Sequence, residues 1–204
     1  MTLALAERDR LRSQMRVKRR SLDDRLAANA ALAIARRLQR IPAFRRSRCV
    51  AGYWPFDGEV DVRPALAAAQ ERRATTVLPS LSRRRVGDMG FAAWRPGVPM
   101  TQNRYGIPEP LPVDRRLFRA ADLDVVLVPL LAFDDRGHRI GMGGGYYDRC
   151  FATVTRGPCP WPVLIGIAYE HQRLNDIESA DWDVPLAWVV TESAVRRCRS
   201  TDTT

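Results

Sequence analysis

The feature that most constrains the fold is an apolar run followed by a glycine cluster. Residues 125–131 read VVLVPLL, residues 141–145 contain four glycines, and no Pro or Gly interrupts the chain from Tyr146 to Arg156. The apolar run predicts a buried strand, and the segment from Tyr146 predicts a helix. The order of strand, glycine loop and helix is typical of an α/β protein, and it places a helix N-terminus where phosphate can bind.

The glycine loop is the candidate active site. Glycines leave no Cβ atoms in the way of a ligand, so successive backbone N–H groups can turn toward an anion. Arg139 and Asp148 flank the loop, and they would supply a cation for phosphate and a carboxylate oxygen for Mg²⁺. A flexible turn is the alternative interpretation of a glycine cluster. The usual P-loop is excluded because the only lysine of the chain is Lys18, so arginine and backbone would have to hold any phosphate.

Other apolar segments along the chain predict further strands, and helix-permissive segments lie between them. Ser21 is a candidate N-cap for a helix from Leu22 to Arg40. This alternation predicts one α/β domain over residues 1–204, with a mainly parallel sheet and helices on both faces. Within it we expect a basic N-terminal helix over residues 1–20 and a flexible tail over residues 196–204. The other predicted strands are residues 49–54, 75–79, 89–94, 162–169 and 187–190.

The formal charge of +10 predicts an anionic partner. Nearly all the basic residues are arginines spread along the whole chain, but a basic module that binds nucleotides or nucleic acid stays open as an alternative. The apolar patch at residues 3–6 is too short for a signal peptide or a membrane span, so no membrane partner is expected. We expect a cytoplasmic monomer.

The glycine loop and its flanks resemble a known family. Residues 139–149, RIGMGGGYYDR, are similar to the signature R-x-G-x-G-x-G-[FY]-Y-D-R of the 5-formyltetrahydrofolate cyclo-ligases. Four further segments also resemble the family, so that the similarity spans most of the chain. They are residues 11–12, 53–61 and 106–110, and the aspartate two positions before Pro185.

The resemblance implies an enzyme that uses ATP and Mg²⁺ to close 5-formyltetrahydrofolate to 5,10-methenyltetrahydrofolate. Phosphorylation of the formyl oxygen would give an iminophosphate intermediate, and ADP and phosphate would be released. A reduced folate is then the partner, and no specific nucleic acid is expected. A divergent member of the family that acts on another substrate is the alternative.

The resemblance also implies roles for individual residues. Asp148 and Asp183 would bind Mg²⁺, although without the resemblance a turn aspartate before Pro185 would be the preferred interpretation of Asp183. Arg139 and Tyr146 would be catalytic. ATP would be bound by Arg8, Arg12, Arg139, Ile140, Gly141, Met142, Gly143, Gly144, Gly145, Tyr146 and Tyr147, and the folate by Trp54, Glu59, Met142, Gly143, Gly144, Gly145 and Tyr146.

Physical arguments bear on the folate ligands Trp54 and Glu59 and on the ATP ligand Arg8. An aromatic face and a carboxylate, here Trp54 and Glu59, suit a flat pterin ring that bears N–H donors. Arg8 stands where the family has lysine, which keeps the charge and changes the geometry. Without the resemblance, a solvated surface helix would explain Arg8 and Arg12, and packing would explain Tyr146 and Tyr147.

Overall fold

The predicted α/β fold is confirmed. The computed structural model describes residues 3–81, 87–111, 117–154 and 161–198. Its strands are β1 Cys49–Ala51, β2 Thr75–Leu81, β3 Met89–Ala93, β4 Met100–Gln102, β5 Pro108–Pro110, β6 Val125–Pro129, β7 Ala132–Phe133, β8 Arg139–Ile140, β9 Val163–Ile167, β10 Trp188–Val190 and β11 Val195–Arg197. Its α-helices are α1 Leu3–Arg20, α2 Asp24–Leu38, α3 Pro42–Arg46, α4 Arg63–Glu71 and α5 Tyr146–Phe151.

Seven strands form the main sheet in the order β11-β10-β9-β6-β1-β2-β3. The neighbours from β10 to β2 pair in parallel, and the edge strands β11 and β3 pair antiparallel. The parallel strands lie in the middle of the sheet because their continuous apolar sequences can be buried on both faces. The mainly parallel sheet was predicted correctly from these runs.

Alternate residues of the central strand β6 point into two different cores. Val125 and Leu127 belong to the core that contains the apolar faces of α2 and α4. Val126 and Val128 belong to the core that contains Phe151 of α5. This alternation follows from the period of two along a strand, and it confirms that helices cover both faces of the sheet.

The second helix is capped differently from our prediction. Asp23, and not Ser21, is the N-cap of α2, and its side chain accepts hydrogen bonds from the backbone N–H groups of Arg25 and Leu26. The hydroxyl of Ser21 instead donates to the carbonyl of Lys18 at the end of α1. Both residue types are good caps, so the local sequence alone could not select between them.

The predicted order of strand, glycine loop and helix needs one correction. The antiparallel hairpin of β7 and β8 separates the buried strand β6 from the glycine loop. Asp134 stabilises the turn between β7 and β8, because this buried carboxylate accepts hydrogen bonds from the N–H groups of Arg136, His138 and Ile177. The loop therefore follows a hairpin at the carboxyl end of β6, and α5 begins at Tyr146 as predicted.

The C-terminal region is more ordered than the sequence indicated. Arg196 and Arg197, which we expected to begin the flexible tail, lie in β11 and pair with Val189 and Trp188. Arg196 also forms an ion pair of 2.6 Å with Glu170. Residues 199–204 of the predicted tail lie outside the described residues. Within the described part of the chain, no helix is both long and apolar enough to cross a membrane.

Candidate active site

The glycine loop runs from the end of β8 to the start of α5. Gly143 has φ +94° and Gly145, the N-cap of α5, has φ +62°, a range that side chains other than glycine rarely adopt. Arg149 donates a 2.6 Å hydrogen bond to the carbonyl of Gly144, and its guanidinium lies 5.3 Å from the ring centre of Tyr146. The backbone conformation of the loop thus depends on glycine, and α5 supports the loop through Arg149.

The loop forms one side of a cleft with a volume of about 840 Å³. The other sides are α1, the segment after β1, the turn between β4 and β5, and the segment at Trp182 and Asp183. All but one of the predicted site residues line this cleft: Arg8, Arg12, Trp54, Glu59, Arg139, Gly141, Met142, Gly143, Gly144, Gly145, Tyr146, Tyr147, Asp148 and Asp183.

Ile140 is the exception among the predicted ATP-binding residues. Its side chain is 1% exposed and packs in the small core where Met15 of α1 meets the β7–β8 hairpin. Its backbone carbonyl accepts a 2.7 Å hydrogen bond from the N–H of Leu131. The side chain of Ile140 thus points away from the cleft, because alternate residues of an extended strand point to opposite sides, and its role in ATP binding stays a prediction.

The arginines of α1 face the cleft. Arg8, Arg12 and Arg16 are four residues apart, which places them on one side of the helix, and all three line the cleft. Nε of Arg12 donates to the carbonyl of Gly141 at 3.2 Å. A solvated surface helix therefore does not describe this face of α1, and Arg16, which we had not assigned, joins the two predicted arginines.

Two carboxylates sit beside the arginines. Oδ1 of Asp148 accepts hydrogen bonds from Arg139 and from the N–H of Val184, the latter at 3.1 Å. Oδ2 of Asp183 accepts from Arg8 at 2.9 Å and from the N–H of Ala180 at 3.0 Å. Because Val184 follows Asp183 directly, the bond to Asp148 brings the two predicted metal ligands to the same end of the cleft.

The two aspartates fit a magnesium ion that is shared with a nucleotide. Among the described residues, Oδ2 of Asp148 and Oδ1 of Asp183 have no hydrogen-bond partner, so each carboxylate keeps one oxygen for another ligand. No group of three or more His, Cys, Asp or Glu side chains in the described segments could hold a metal by itself. Mg²⁺ commonly uses one or two carboxylates with phosphate and water.

Glu59 lies at the other end of the cleft from Asp183, since α1 contacts Asp183 through Arg8 and Glu59 through Arg19, and its surroundings are unusual. Its side chain is about one-tenth exposed, and burial raises its pKa from 4.5 to about 7, against the lowering effects of Arg19 and of the N–H of Phe56. Trp54 lies nearby in the wall of the cleft, edge-on to Trp94 at 6.4 Å between ring centres. This end therefore offers an aromatic face and a carboxyl group that ionises near neutral pH.

The two tyrosines of the signature have different environments. The hydroxyl of Tyr146 lies 3.0 Å from the hydroxyl of Tyr105, and this hydrogen bond raises the pKa of Tyr146. Tyr147 stacks on Phe151 with 6.2 Å between ring centres, and burial raises its pKa. Tyr146 thus has its hydroxyl at the cleft, whereas much of Tyr147 packs against the core that contains Phe151.

Several residues that line the cleft were not predicted from the sequence. Tyr105 directly precedes the segment 106–110 that resembles the family, and we gave neither a chemical role. Arg149 closes the signature motif and was likewise left without a role. Arg16 could have been found from its spacing to Arg12, whereas no local pattern pointed to Trp182, which is 67% exposed beside Asp183.

Comparison with known proteins gives a consistent result over nearly the whole chain. Residues 4–192 match the model of the 5-formyltetrahydrofolate cyclo-ligase family. The 5-formyltetrahydrofolate cyclo-ligase of Escherichia coli (strain K12) is 32% identical over 181 residues, which cover 89% of this chain and 98% of that protein. The enzyme of the same name from Haemophilus influenzae is 29% identical over 180 residues, covering 88% and 95%.

A solved structure shares the fold. The NMR structure of Aquifex aeolicus 5,10-methenyltetrahydrofolate synthetase superimposes with a TM-score of 0.79 at 28% sequence identity. The superposition covers 97% of this chain and 95% of that one. The similarity therefore includes the sheet, α1 and every segment that contributes to the cleft.

Proposed function

This chain belongs to the 5-formyltetrahydrofolate cyclo-ligase family, and we propose that it converts 5-formyltetrahydrofolate to 5,10-methenyltetrahydrofolate with ATP and Mg²⁺. The observation that carries the proposal is the composition of the cleft described above. Its lining combines the arginines of α1, the glycine loop and two aspartates with Trp54 and Glu59. Nucleotide and folate would thus meet at the glycine loop.

The proposed chemistry solves a leaving-group problem. The formyl oxygen of the substrate is a poor leaving group, so transfer of the γ-phosphoryl group of ATP to this oxygen would give an iminophosphate and ADP. N10 of the folate would then attack the formyl carbon and lose its proton, and the carbon–oxygen bond would break with release of phosphate, which takes up that proton. The protein has mainly to position the reactants and neutralise charge, as in other phosphoryl transfers.

Charge neutralisation would come from α1 and the glycine loop. Arg8 and Arg12 line the cleft, and Arg12 is already anchored to the carbonyl of Gly141. Guanidinium groups and backbone N–H groups are the expected phosphate ligands in a chain without a P-loop lysine. Arg139 is anchored to Asp148 and to the carbonyl of Val184, so its cation is held in place beside the loop.

Asp148 and Asp183 would hold Mg²⁺ through the oxygens that make no hydrogen bond within the described structure. When bound, the ion would neutralise the negative charge of the nucleotide phosphates. Arg139 and the N–H of Val184 would keep the carboxylate of Asp148 in one orientation, which is the usual role of groups that contact a metal ligand.

The folate would occupy the opposite end of the cleft. Trp54 would pack against the pterin ring, and the carboxylate of Glu59 would accept hydrogen bonds from pterin N–H groups. Tyr146 lines the cleft directly after the glycine loop, and its hydroxyl would help to orient the reacting formyl group. Tyr105 would in turn orient Tyr146 through the hydrogen bond between the two hydroxyls.

The test is the appearance of the methenyl product, followed by its ultraviolet absorbance. Purified protein is mixed with 5-formyltetrahydrofolate and Mg²⁺, with and without ATP, and a rise that requires ATP supports the proposal. No rise from folded protein that binds ATP would contradict this substrate assignment and favour a divergent family member. Heat-inactivated protein is the control for uncatalysed ring closure.

A further inference from the structure

Arg19 is the most deeply buried arginine among the described residues. Only 2% of the residue is exposed, and it lies behind the wall of the cleft rather than in the cleft itself. Its guanidinium donates to the carbonyl of Asp57 at 3.0 Å, to the carboxylate of Asp57 at 3.1 Å and to the carbonyl of Leu130 at 3.4 Å. It also donates to Oε1 of Glu59 at 3.5 Å.

The segment that Arg19 contacts has an unusual backbone. Asp57 has φ +57°, which is uncommon for a residue with a side chain, so the surrounding contacts must hold this conformation. Arg16 and Arg20 of α1 also form ion pairs with the carboxylate of Asp57, whose side chain is 4% exposed. The end of α1 therefore fixes the turn that carries Glu59.

Within this turn, Glu59 is held from two sides. Its Oε2 accepts a 3.1 Å hydrogen bond from the N–H of Phe56, and its Oε1 faces the guanidinium of Arg19. If Arg19 only anchored α1 to the domain, its contact with Glu59, a side chain that lines the cleft, would not be needed. The contact with Glu59 connects the buried arginine directly to the predicted folate end.

We propose that Arg19 is a positioning residue for the folate end of the cleft, which keeps the Glu59 carboxylate oriented and ionised for the pterin ring. This inference rests on the proposed function, because it takes Glu59 as a folate ligand. Arg19 itself would not touch the substrate. It would act through Glu59, from the side of that residue opposite the cleft.

The charged and titratable groups around Glu59 explain why Arg19 affects its ionisation. Arg19 from α1 favours the carboxylate, whereas Asp57 of the same turn disfavours it. Three tyrosines of the described chain, Tyr53, Tyr147 and Tyr169, also interact with Glu59. Arg19 is the positively charged group among these described neighbours, so its removal should raise the pKa of Glu59 further.

The experiment compares Arg19→Met with Arg20→Met. Arg20 also pairs with Asp57 and not with Glu59, but its side chain is 60% exposed, so this ion pair contributes little to the stability of the turn. The dissociation constant for 5-formyltetrahydrofolate is measured by tryptophan fluorescence across a pH series. For Arg19→Met we expect about tenfold weaker binding at neutral pH, the size of one lost charged hydrogen bond, and a pH profile displaced to higher pH. Arg20→Met should follow the wild type.

A double-mutant cycle separates positioning from simple packing. In a Glu59→Gln background, Arg19→Met should have little further effect on folate binding, because the group through which it acts is gone. An equal loss in both backgrounds would overturn the proposal and leave Arg19 a purely structural role. If Arg19→Met does not fold, Arg19→Gln replaces it, and an unshifted pH profile for that variant would overturn the proposal as well, since glutamine removes the positive charge.

A measurement without folate keeps this inference distinct from the proposed function. The Glu59 carboxyl carbon is followed by ¹³C NMR as the pH is changed, and its signal is identified by its loss in Glu59→Gln. One possible outcome is that the titration midpoint of Glu59 rises in Arg19→Met while the wild-type protein does not bind the folate. This outcome would confirm the electrostatic contact between Arg19 and Glu59. It would contradict the substrate assignment and the positioning role that rests on it. A midpoint unchanged by Arg19→Met would contradict the inference even if the protein is an active cyclo-ligase.

Discussion

Arg8 and Asp183 are joined by a 2.9 Å ion pair that links positions 175 residues apart in the sequence. Both side chains are largely buried, with 19% and 14% of their surfaces exposed. Arg8 is a predicted ATP ligand and Asp183 a predicted metal ligand, so the free protein already places a cation against a carboxylate proposed for Mg²⁺. The pair connects α1 to the far side of the cleft.

The first prediction concerns the identity of the cation at position 8. Arg8→Lys introduces the residue that the resemblance to the family implies at this position, and we expect activity within about threefold of wild type, since the charge is kept. Arg8→Met removes the charge and should raise the KM for ATP by about tenfold, the size of one charged hydrogen bond. Steady-state kinetics with varied ATP checks both variants, and equal values for lysine and methionine would contradict a role for the charge.

The second prediction concerns Asp148. Replacing it with asparagine removes the negative charge while conserving size, and we expect kcat to fall about 100-fold, because a bound metal contributes several kcal/mol to charge stabilisation. The Mg²⁺ concentration for half-maximal activity should rise. Circular dichroism establishes whether the variant is folded. Wild-type dependence on Mg²⁺ in folded Asp148→Asn would show that this carboxylate is not a metal ligand.

The third prediction follows from the raised pKa of Glu59, about 7 against an ordinary 4.5. Folding is then linked to proton uptake, so the contribution of Glu59 to stability is fully present below about pH 4.5 and is lost as the pH rises through 7. The neutral Glu59→Gln variant does not lose stability in this way. The difference in the free energy of unfolding between Glu59→Gln and the wild type should therefore shift in favour of the variant by roughly 2–3 kcal/mol between about pH 5 and pH 8. Urea unfolding at each pH measures the difference, and a difference independent of pH would refute it.

The fourth prediction compares two glycines of the same loop. Gly143 has φ +94°, so Gly143→Ala should destabilise the protein by about 1–3 kcal/mol. A methyl group on Gly141 would meet nothing within 4 Å, and Gly141 has no positive φ, so Gly141→Ala should change stability by less than about 0.5 kcal/mol. Thermal unfolding of the ligand-free variants tests the contrast, and equal melting temperatures would count against the described loop conformation.

The fifth prediction concerns the tyrosine pair. Tyr105→Phe keeps the edge-on ring contact, 6.1 Å between centres, and removes only the hydrogen bond to Tyr146. We expect kcat/KM for the folate to fall by about two- to tenfold, the range for one neutral hydrogen bond. Tyr146→Phe should cost at least as much. If Tyr105 acts by orienting Tyr146, the double variant should be no worse than Tyr146→Phe alone, and additive losses would indicate independent roles.

The sheet could be predicted from the sequence because its strands are continuous apolar runs. Every predicted strand overlaps a strand of the main sheet, and α5 starts at the predicted residue. The β7–β8 hairpin escaped prediction because its turn depends on one buried carboxylate, Asp134, that collects hydrogen bonds from residues as far away as Ile177. A pattern of local apolarity contains no information about such a bond.

The features of the cleft also fall into those that could be predicted from the sequence and those that could not. The glycine loop with Arg139 and Asp148 at its flanks, followed by a helix, could be predicted because these groups are neighbours along the chain. The burial of Arg19 against the turn of Glu59, the contact of Arg8 with Asp183 and the raised pKa of Glu59, about 7, became visible only in the folded chain. The physical reason is that burial and electrostatics depend on groups brought together in space, whereas the periodicity and composition of a segment report only its own preferences.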